Sequence, residues 1–266
     1  MGIRIIWGIA ALYGGLAVAA AQEVPLATGE WPPYVMQKSP ERAIFTLLVE
    51  EAFRRAGLKP VYRYTSWPRA EAMVEQGLVF AAFPYAHNEE RARRFDFSSP
   101  VLISRSVLFY YRSHQHVPQR FERFSDFAGR QIATPRGYWY EDLLRRHGAQ
   151  ISYTSDEQSA FRLLMLGRAE AVVQDELVGW YLIGNHFPAQ RSRFATFDTP
   201  VSAREQPLHL LVSRQYPGAA ALKARLDSVI DEVRQSGMPE KLIAKFRLRS
   251  SRPDEAEANP EVGPQP

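Results

Sequence analysis

Short apolar runs alternate with amphipathic segments along most of the chain. Val24 to Thr28 and Pro60 to Tyr64 read as strands, and Val79 to Tyr85 is a third apolar run. Between the first two, Phe45, Leu48, Val49, Ala52, Phe53 and Ala56 recur at the spacing of one helix face. Ser39-Pro40-Glu41 supplies a start for that helix, with Ser39 as N-cap, and Gly57 supplies its stop. Pro68 opens a second, shorter helix that ends at Gly77, and a short helix holding Arg91 follows the third strand. Val101 to Tyr111 reads as extended.

The same rhythm restarts near Phe124. A connector leads into a strand at Gln131-Ile132-Ala133, then a tight turn at Thr134 to Tyr138, then a helix from Tyr140 to His147. Ile151 to Thr154 is a strand, and Ser155 with Gln158 forms a capping box for a helix that turns Phe161 and Leu164 inward. Ala171-Val172-Val173 is a buried strand closed by Gln174-Asp175-Glu176. Leu208 to Ser213 is a late strand, and Leu222, Leu226, Val229, Ile230 and Val233 mark a long helix before Gly237. A last helix runs from Pro239 to Phe246. Strands alternating with helices in this way predict α/β architecture.

The two ends break the rhythm. Arg4 followed by an apolar stretch from Ile5 to Val18, then Ala19-Ala20-Ala21, has the form of a signal peptide (1–21) cleaved before Gln22. Its apolar run, about 17 residues, is short for a membrane span. The expected product is a soluble exported protein, located in the periplasm. Beyond Ser250 the chain is rich in Pro, Glu and Ala without apolar periodicity, so 249–266 is expected to be a disordered tail.

Composition narrows the options. There is no cysteine, so disulfides, thiolate metal sites and a cysteine-borne lipid anchor are closed. The net charge of +4 comes from bases interleaved with acids, as in Glu50-Glu51-Ala52-Phe53-Arg54-Arg55, which is a solvated face and not a nucleic-acid stripe. Among the six histidines, His114 and His116 form the one close pair, in a polar loop without a third ligand nearby, so no metal or other cofactor is expected. No nucleophile-elbow, P-loop or zinc-protease motif is present.

Several stretches together resemble the family 3 bacterial extracellular solute-binding proteins, over about Val24 to Phe246. The most informative is Asn88-Glu89-Glu90-Arg91-Ala92-Arg93-Arg94-Phe95-Asp96-Phe97-Ser98-Ser99-Pro100, in which an apolar strand runs into "E-R" and then "Phe-Ser-x-Pro". Gly167 to Asp175 is similar to the family's "G-x-x-D-A-V-x-x-D" pattern. The resemblance implies a type 2 periplasmic-binding fold: two α/β lobes, each a mixed sheet flanked by helices, joined by two hinge strands. Lobe 1 would comprise 22–100 and 208–248 and lobe 2 would comprise 106–203, with the chain crossing near Val101 to Arg105 and returning near Ala203 to Leu208. It further implies a monomer that captures an amino acid or similar small carboxylate in the interlobe cleft, closes by hinge motion, and delivers the ligand to an ABC-type permease without catalysis.

By that resemblance Arg91 grips the ligand carboxylate and Asp175 takes its ammonium group. The residues themselves leave room for a surface arginine at a helix start and for an N-cap aspartate. A guanidinium can hold a carboxylate with two parallel hydrogen bonds, and an aspartate at a strand end can accept from an ammonium. Trp31 and Tyr34 match an aromatic loop after the first strand, and Trp67 an aromatic that covers the ligand; each is also a candidate for the core. Phe83 and Tyr85 match a strand-end segment that contacts ligand, and Arg136 and Tyr138 lie in the matching lobe 2 loop. Lys38-Ser39-Pro40-Glu41-Arg42 stands where the family has "G-F-D-V-D", removing an acid used for side-chain selection. The alternative on the same fold is a periplasmic cyclohexadienyl-type dehydratase, which needs a positioned acid such as Glu176, Asp175 or Glu30.

Overall fold

The computed structural model describes residues 21–113, 121–198 and 205–250. Residues 1–20 of the expected signal peptide, His114 and His116, residues 199–204 with the start of the return crossing expected near Ala203 to Leu208, and the expected tail from 251 lie outside the described residues. Two mixed sheets flanked by helices form an α/β fold of two lobes. In the first sheet β1 (Gln22–Thr28) lies between β2 (Leu58–Tyr64) and β3 (Ala81–Ala86), all parallel. The late strand β11 (Gln206–Val212) returns antiparallel beside β3 and carries β4 (Asp96–Phe97) and β5 (Leu102–Ser104) along its length. The second sheet, built from β6 (Ser106–Tyr111), β7 (Gln131–Pro135), β8 (Gln150–Thr154), β9 (Ala171–Asp175) and β10 (Phe194–Phe197), runs in the order β10-β6-β9-β7-β8. There β7, β8 and β9 are parallel and β6 is antiparallel to its neighbours.

The helices are α1 (Ile44–Arg55), α2 (Trp67–Glu75), α3 (Glu89–Arg94), α4 (Glu141–Arg146), α5 (Glu157–Met165), α6 (Glu176–His186), α7 (Ala219–Gln235) and α8 (Met238–Ser250). The apolar positions that marked α1 and α7 are the ones that pack: Phe45, Leu48, Phe53, Leu222, Leu226 and Ile230 join one core with Val24, Leu26 and Phe83. Phe161 and Leu164 of α5 pack with Phe109 and Val172 in the second lobe.

Three local expectations change. Ser39 makes no side-chain cap; Pro40–Arg42 forms a 3-10 turn, and α1 begins at Ile44. The free amides of Ile44, Phe45 and Thr46 donate instead to the carbonyls of Pro33 and Tyr34, so the aromatic loop caps the helix. The cap of α5 is Asp156 and not Ser155: its Oδ1 accepts from the Ser159 amide at 2.7 Å, a carboxylate being the stronger acceptor at a helix start. Val101 to Tyr111 divides between the sheets, β5 joining the first and β6 the second, with Arg105 between them.

The strand β10 and the extent of α6 had no clear pattern in the sequence. Leu177 and Val178 of α6 pack into the core of the first lobe while Ile183 packs into the second, so the helix shows no single apolar stripe. Gly179 permits this position: a Cβ there would lie 2.2 Å from the Phe109 ring of β6.

Candidate ligand cleft

Three parallel strands in each sheet place their carboxyl ends on one edge, where open α/β sheets bind ligands. A hydrogen bond joins the two edges. The loop after β1 carries Tyr34, the end of β9 carries Asp175, and the Tyr34 hydroxyl donates to Asp175 Oδ2 at 2.9 Å across the lobes.

Asp175 is 4% exposed. Its Oδ1 accepts from the amides of Leu177 and Val178 at 2.9 and 3.1 Å, which makes it the N-cap of α6. Burial outweighs these donors and pushes its carboxyl up to about 6. Tyr34 is held well above the usual phenol range, first by burial and then by the neighbouring Asp175 charge. Glu176, beside it, is the first-turn acid of α6 and pairs with Arg105 at 3.6 Å and with Arg247 of α8 at 3.1 Å.

On the first-lobe edge, Arg91 lies on α3, whose start is capped by Asn88 accepting from the Arg91 amide at 2.7 Å. Its guanidinium is spoken for on one side. Nε and Nη2 both lie 3.2 Å from Glu71 Oε1, and Nη1 donates to the Ala86 carbonyl at 3.3 Å. It also sits 4.9 Å over the Tyr85 ring. A guanidinium has five donors, so two N–H groups remain. Arg93 is exposed and 4.0 Å from Glu89, and Arg94 pairs with Glu75 at 2.6 Å.

The aromatic residues divide. Trp31 is half-buried, with its ring 4.8 Å from that of Tyr34. Trp67 lies over Gly29 at the end of β1, where an added Cβ would come within 2.6 Å of the indole, and packs edge-on against Tyr85 at 5.7 Å. Phe83 points inward: fully buried, it stacks on Phe45 at 5.7 Å, and its carbonyl accepts from Thr28 Oγ1 at 2.6 Å.

On the second-lobe edge, Arg136 is exposed with its guanidinium 3.8 Å over the Tyr153 ring. Tyr138 donates to Glu157 Oε1 at 2.6 Å and accepts from Gln174 Nε2 at 3.1 Å. Gln174 in turn accepts from the Asp175 amide at 2.7 Å, so one hydrogen-bond chain runs from Asp175 to Glu157. The Gly137 amide, between Arg136 and Tyr138, donates to Glu141 Oε2 at 3.1 Å.

Glu71, Glu141, Glu157 and Gln174 were not singled out in the sequence. The one available signal was place: the three glutamates lie in the first or second turn of a helix that follows a strand, and Gln174 lies near the end of β9, positions too common to select them. Among the described residues no cluster of His, Asp or Glu is arranged to hold a metal, and no helix is long and apolar enough to cross a membrane.

The sequence profile of the bacterial extracellular solute-binding proteins, family 3, matches residues 27–249. A probable amino-acid ABC transporter-binding protein of Haemophilus influenzae is 26% identical over 136 residues, a segment that spans 49% of this chain and 49% of that relative. The ligand-binding core of GluR0 from Nostoc punctiforme, solved with L-glutamate, superposes with a TM-score of 0.66 at 18% identity, covering 84% of this chain and 98% of that one. An ancestral arginine-binding protein bound to arginine gives 0.67 at 16% identity, covering 85% and 99%. At these identities the structural likeness speaks for the fold, whereas the profile spans most of the sequence. The chain belongs to the bacterial extracellular solute-binding proteins, family 3.

Proposed function

We propose that this protein is a periplasmic solute-binding protein that captures an amino acid or similar small carboxylate between its lobes and delivers it to an ABC-type permease. The observation that supports the reading is that Arg91 follows β3 of the first sheet and Asp175 ends β9 of the second, with the Tyr34–Asp175 hydrogen bond joining the two lobes. Arg91 keeps two N–H donors for a carboxylate. Asp175 Oδ2 takes one donor, from Tyr34, and retains acceptor capacity for an ammonium group. Trp31 and Trp67 wall the space between, and an aromatic face attracts a cation. The protein acts as an exported monomer, released from its signal segment before Gln22, and closes on its ligand by hinge motion. The related transporter-binding protein of H. influenzae supports the amino-acid class.

Calorimetry on ligand-stripped protein tests the site, with the ligand taken from a thermal-shift screen of amino acids, amines and organic acids. Removing one partner of a desolvated charge pair costs about 2–5 kcal/mol, so Arg91→Ala and Asp175→Ala should each weaken binding by roughly thirtyfold or more. Arg93→Ala, on the exposed side of α3, should bind as wild type does. Wild-type affinity in Arg91→Ala would remove the carboxylate assignment.

One observation favours the dehydratase alternative: a carboxyl raised to about 6, as in Asp175, is partly protonated near neutral pH and able to act as an acid. That carboxyl is already fixed by the Tyr34 hydroxyl and the Leu177 and Val178 amides, the arrangement of a cap and a binding group, which favours binding without turnover. Incubation with prephenate or arogenate should yield no aromatic product by ultraviolet absorbance. Product formation that vanishes in Asp175→Asn would establish the enzyme.

A further inference from the structure

The charges at the cleft edges are unequal, and most of the positive charge is already balanced. In the first lobe Arg91 holds Glu71 through Nε and Nη2, both 3.2 Å from one carboxylate oxygen. Both side chains are about one-fifth exposed, 20% and 19%, so this pair is screened less than a surface pair. A ligand carboxylate can still reach the two remaining N–H donors, but it meets a guanidinium already paired with Glu71, which Arg94 Nη1 also approaches at 3.8 Å.

The second lobe is the reverse. Glu141, Glu157 and Asp175 all follow or end the parallel strands at this edge, and among the described residues none forms an ion pair with Lys, Arg or His. Half-buried acids away from the edge do hold cations: Glu170 pairs with Arg130 at 2.9 Å and Asp227 with Lys223 at 2.6 Å. Of the arginines near this edge, Arg136 lies on the Tyr153 ring and Arg145 pairs with Asp142. Three carboxylates at the second-lobe edge therefore stand without an ion pair among the described residues, whereas Glu71 in the first lobe lies between Arg91 and Arg94.

Glu157 is the best placed of the four to receive a ligand. Asp175 already accepts three hydrogen bonds and is assigned to the ligand's ammonium group above, and Glu141 accepts from the Gly137 amide and the Tyr153 hydroxyl. The Glu157 carboxylate has one protein donor, Tyr138, which is itself held by Gln174. This fixes the direction of the carboxylate while leaving its second oxygen without a hydrogen bond among the described residues. Such a group gains most from a cationic partner that brings its own N–H donors.

We infer that the cleft selects a ligand of net positive charge, an amino acid bearing an ammonium or guanidinium side chain, and that Glu157 receives that side-chain cation in lobe 2. The inference rests on the cleft being the binding site proposed above. A zwitterionic amino acid spans Arg91 and Asp175, and the surplus negative charge of the second lobe then compensates its additional cation. Glu71 disfavours a second carboxylate at Arg91 by like-charge repulsion.

The test is calorimetry of ligand-stripped full-length protein with arginine, lysine, glutamine, glutamate and putrescine, on wild type, Glu157→Gln, Glu71→Gln and the surface control Glu240→Gln. Glutamine at position 157 still accepts from Tyr138, so folding is preserved. Wild type should bind arginine or lysine at least about tenfold more tightly than glutamine or glutamate. Glu157→Gln should remove that preference, with glutamine affinity and the Glu240→Gln control unchanged. Glu71→Gln should improve glutamate relative to arginine. Equal or tighter binding of glutamine or glutamate by wild type overturns the inference and leaves the amino-acid reading intact, as does an unchanged preference in Glu157→Gln. Putrescine binding as tightly as lysine, with Arg91→Ala silent, keeps the cation and removes the amino-acid reading. If no compound binds, native mass spectrometry of unstripped protein decides: a co-purified cation supports the inference, a neutral or anionic small molecule overturns it, and an empty protein removes both readings.

Discussion

Asp175 is a carboxyl group enclosed between two lobes, and three hydrogen bonds do not fully replace the water it has lost. Burial raises it from an ordinary 3.8 to about 6. Between those values the folded protein binds more protons than the unfolded chain. This group's contribution is therefore fully present below about pH 4 and is lost as the pH rises through about 6. A difference of that size corresponds to about 3 kcal/mol at most. Asp175→Asn keeps an oxygen for the Leu177 and Val178 amides and carries no charge to bury. In urea titrations at a series of pH values, the variant should lack the wild-type loss of stability between pH 4 and 6 and should match or exceed wild type at pH 7. An identical pH slope in both proteins would show that Asp175 is not the titrating group. At this scale the sequence revealed which acid and which arginine stand at strand ends, because position after a strand is legible from the apolar runs. It did not reveal their partners. Glu71 lies twenty residues before Arg91 and Tyr34 lies 141 residues before Asp175, and pairing over such separations depends on how the strands are ordered.

At the scale of elements, α3 is only six residues long and cannot be stable by itself. Its carbonyl end is closed by one side chain from the far end of the chain. Arg214, just past β11, donates to the carbonyls of Ala92, Arg93 and Phe95 at 2.8–2.9 Å and to Asp96 at 2.9 Å. Three carbonyls that α3 leaves free thereby gain donors, and a cation sits at the negative end of the helix. The guanidinium is partly exposed, 42% for the side chain, so the Asp96 pair is screened and the carbonyl bonds carry most of the effect. Arg214→Ala should lower stability by about 1–3 kcal/mol in denaturant titration. Arg214→Lys should not restore it, since one ammonium lacks the spread of a guanidinium. Full recovery by lysine would reduce the role to charge alone. Elements with one apolar face, α1, α5 and α7, were legible from periodicity. Those serving two surfaces were not: α6 is apolar toward both lobes, and β10 pairs with β6 without an alternating pattern of its own.

At the scale of the whole molecule, the chain passes from the first sheet to the second where β5 gives way to β6, the hinge in the function proposed above, and the Tyr34–Asp175 contact lies close to it. Asp175 pairs with Ser106, the first residue of β6, and Glu176 donates its amide to the Arg105 carbonyl. Leu177 and Val178, packed into the first-lobe core, continue the same patch. A rotation about this hinge moves that patch little. The edges farther out move more. In lobe 2 the strand order β6-β9-β7-β8 puts the Tyr138 loop two strands and Glu157 three strands from the hinge strand. At about 4.8 Å per strand this is roughly 10–15 Å of lever arm. In lobe 1 the order β11-β3-β1-β2 places Trp67, which follows β2, at a similar remove. Closure on a ligand should therefore be read at the outer edges. In amide hydrogen exchange, addition of the ligand identified by the screen should slow exchange most at 136–139, at 157–159 and at 67–71. Residues 176–179, already docked against the first lobe, should change least. The reverse pattern, with protection concentrated at 176–179, would mean that the Tyr34–Asp175 contact forms only with ligand, so that this contact would be part of the closing motion and no longer its pivot.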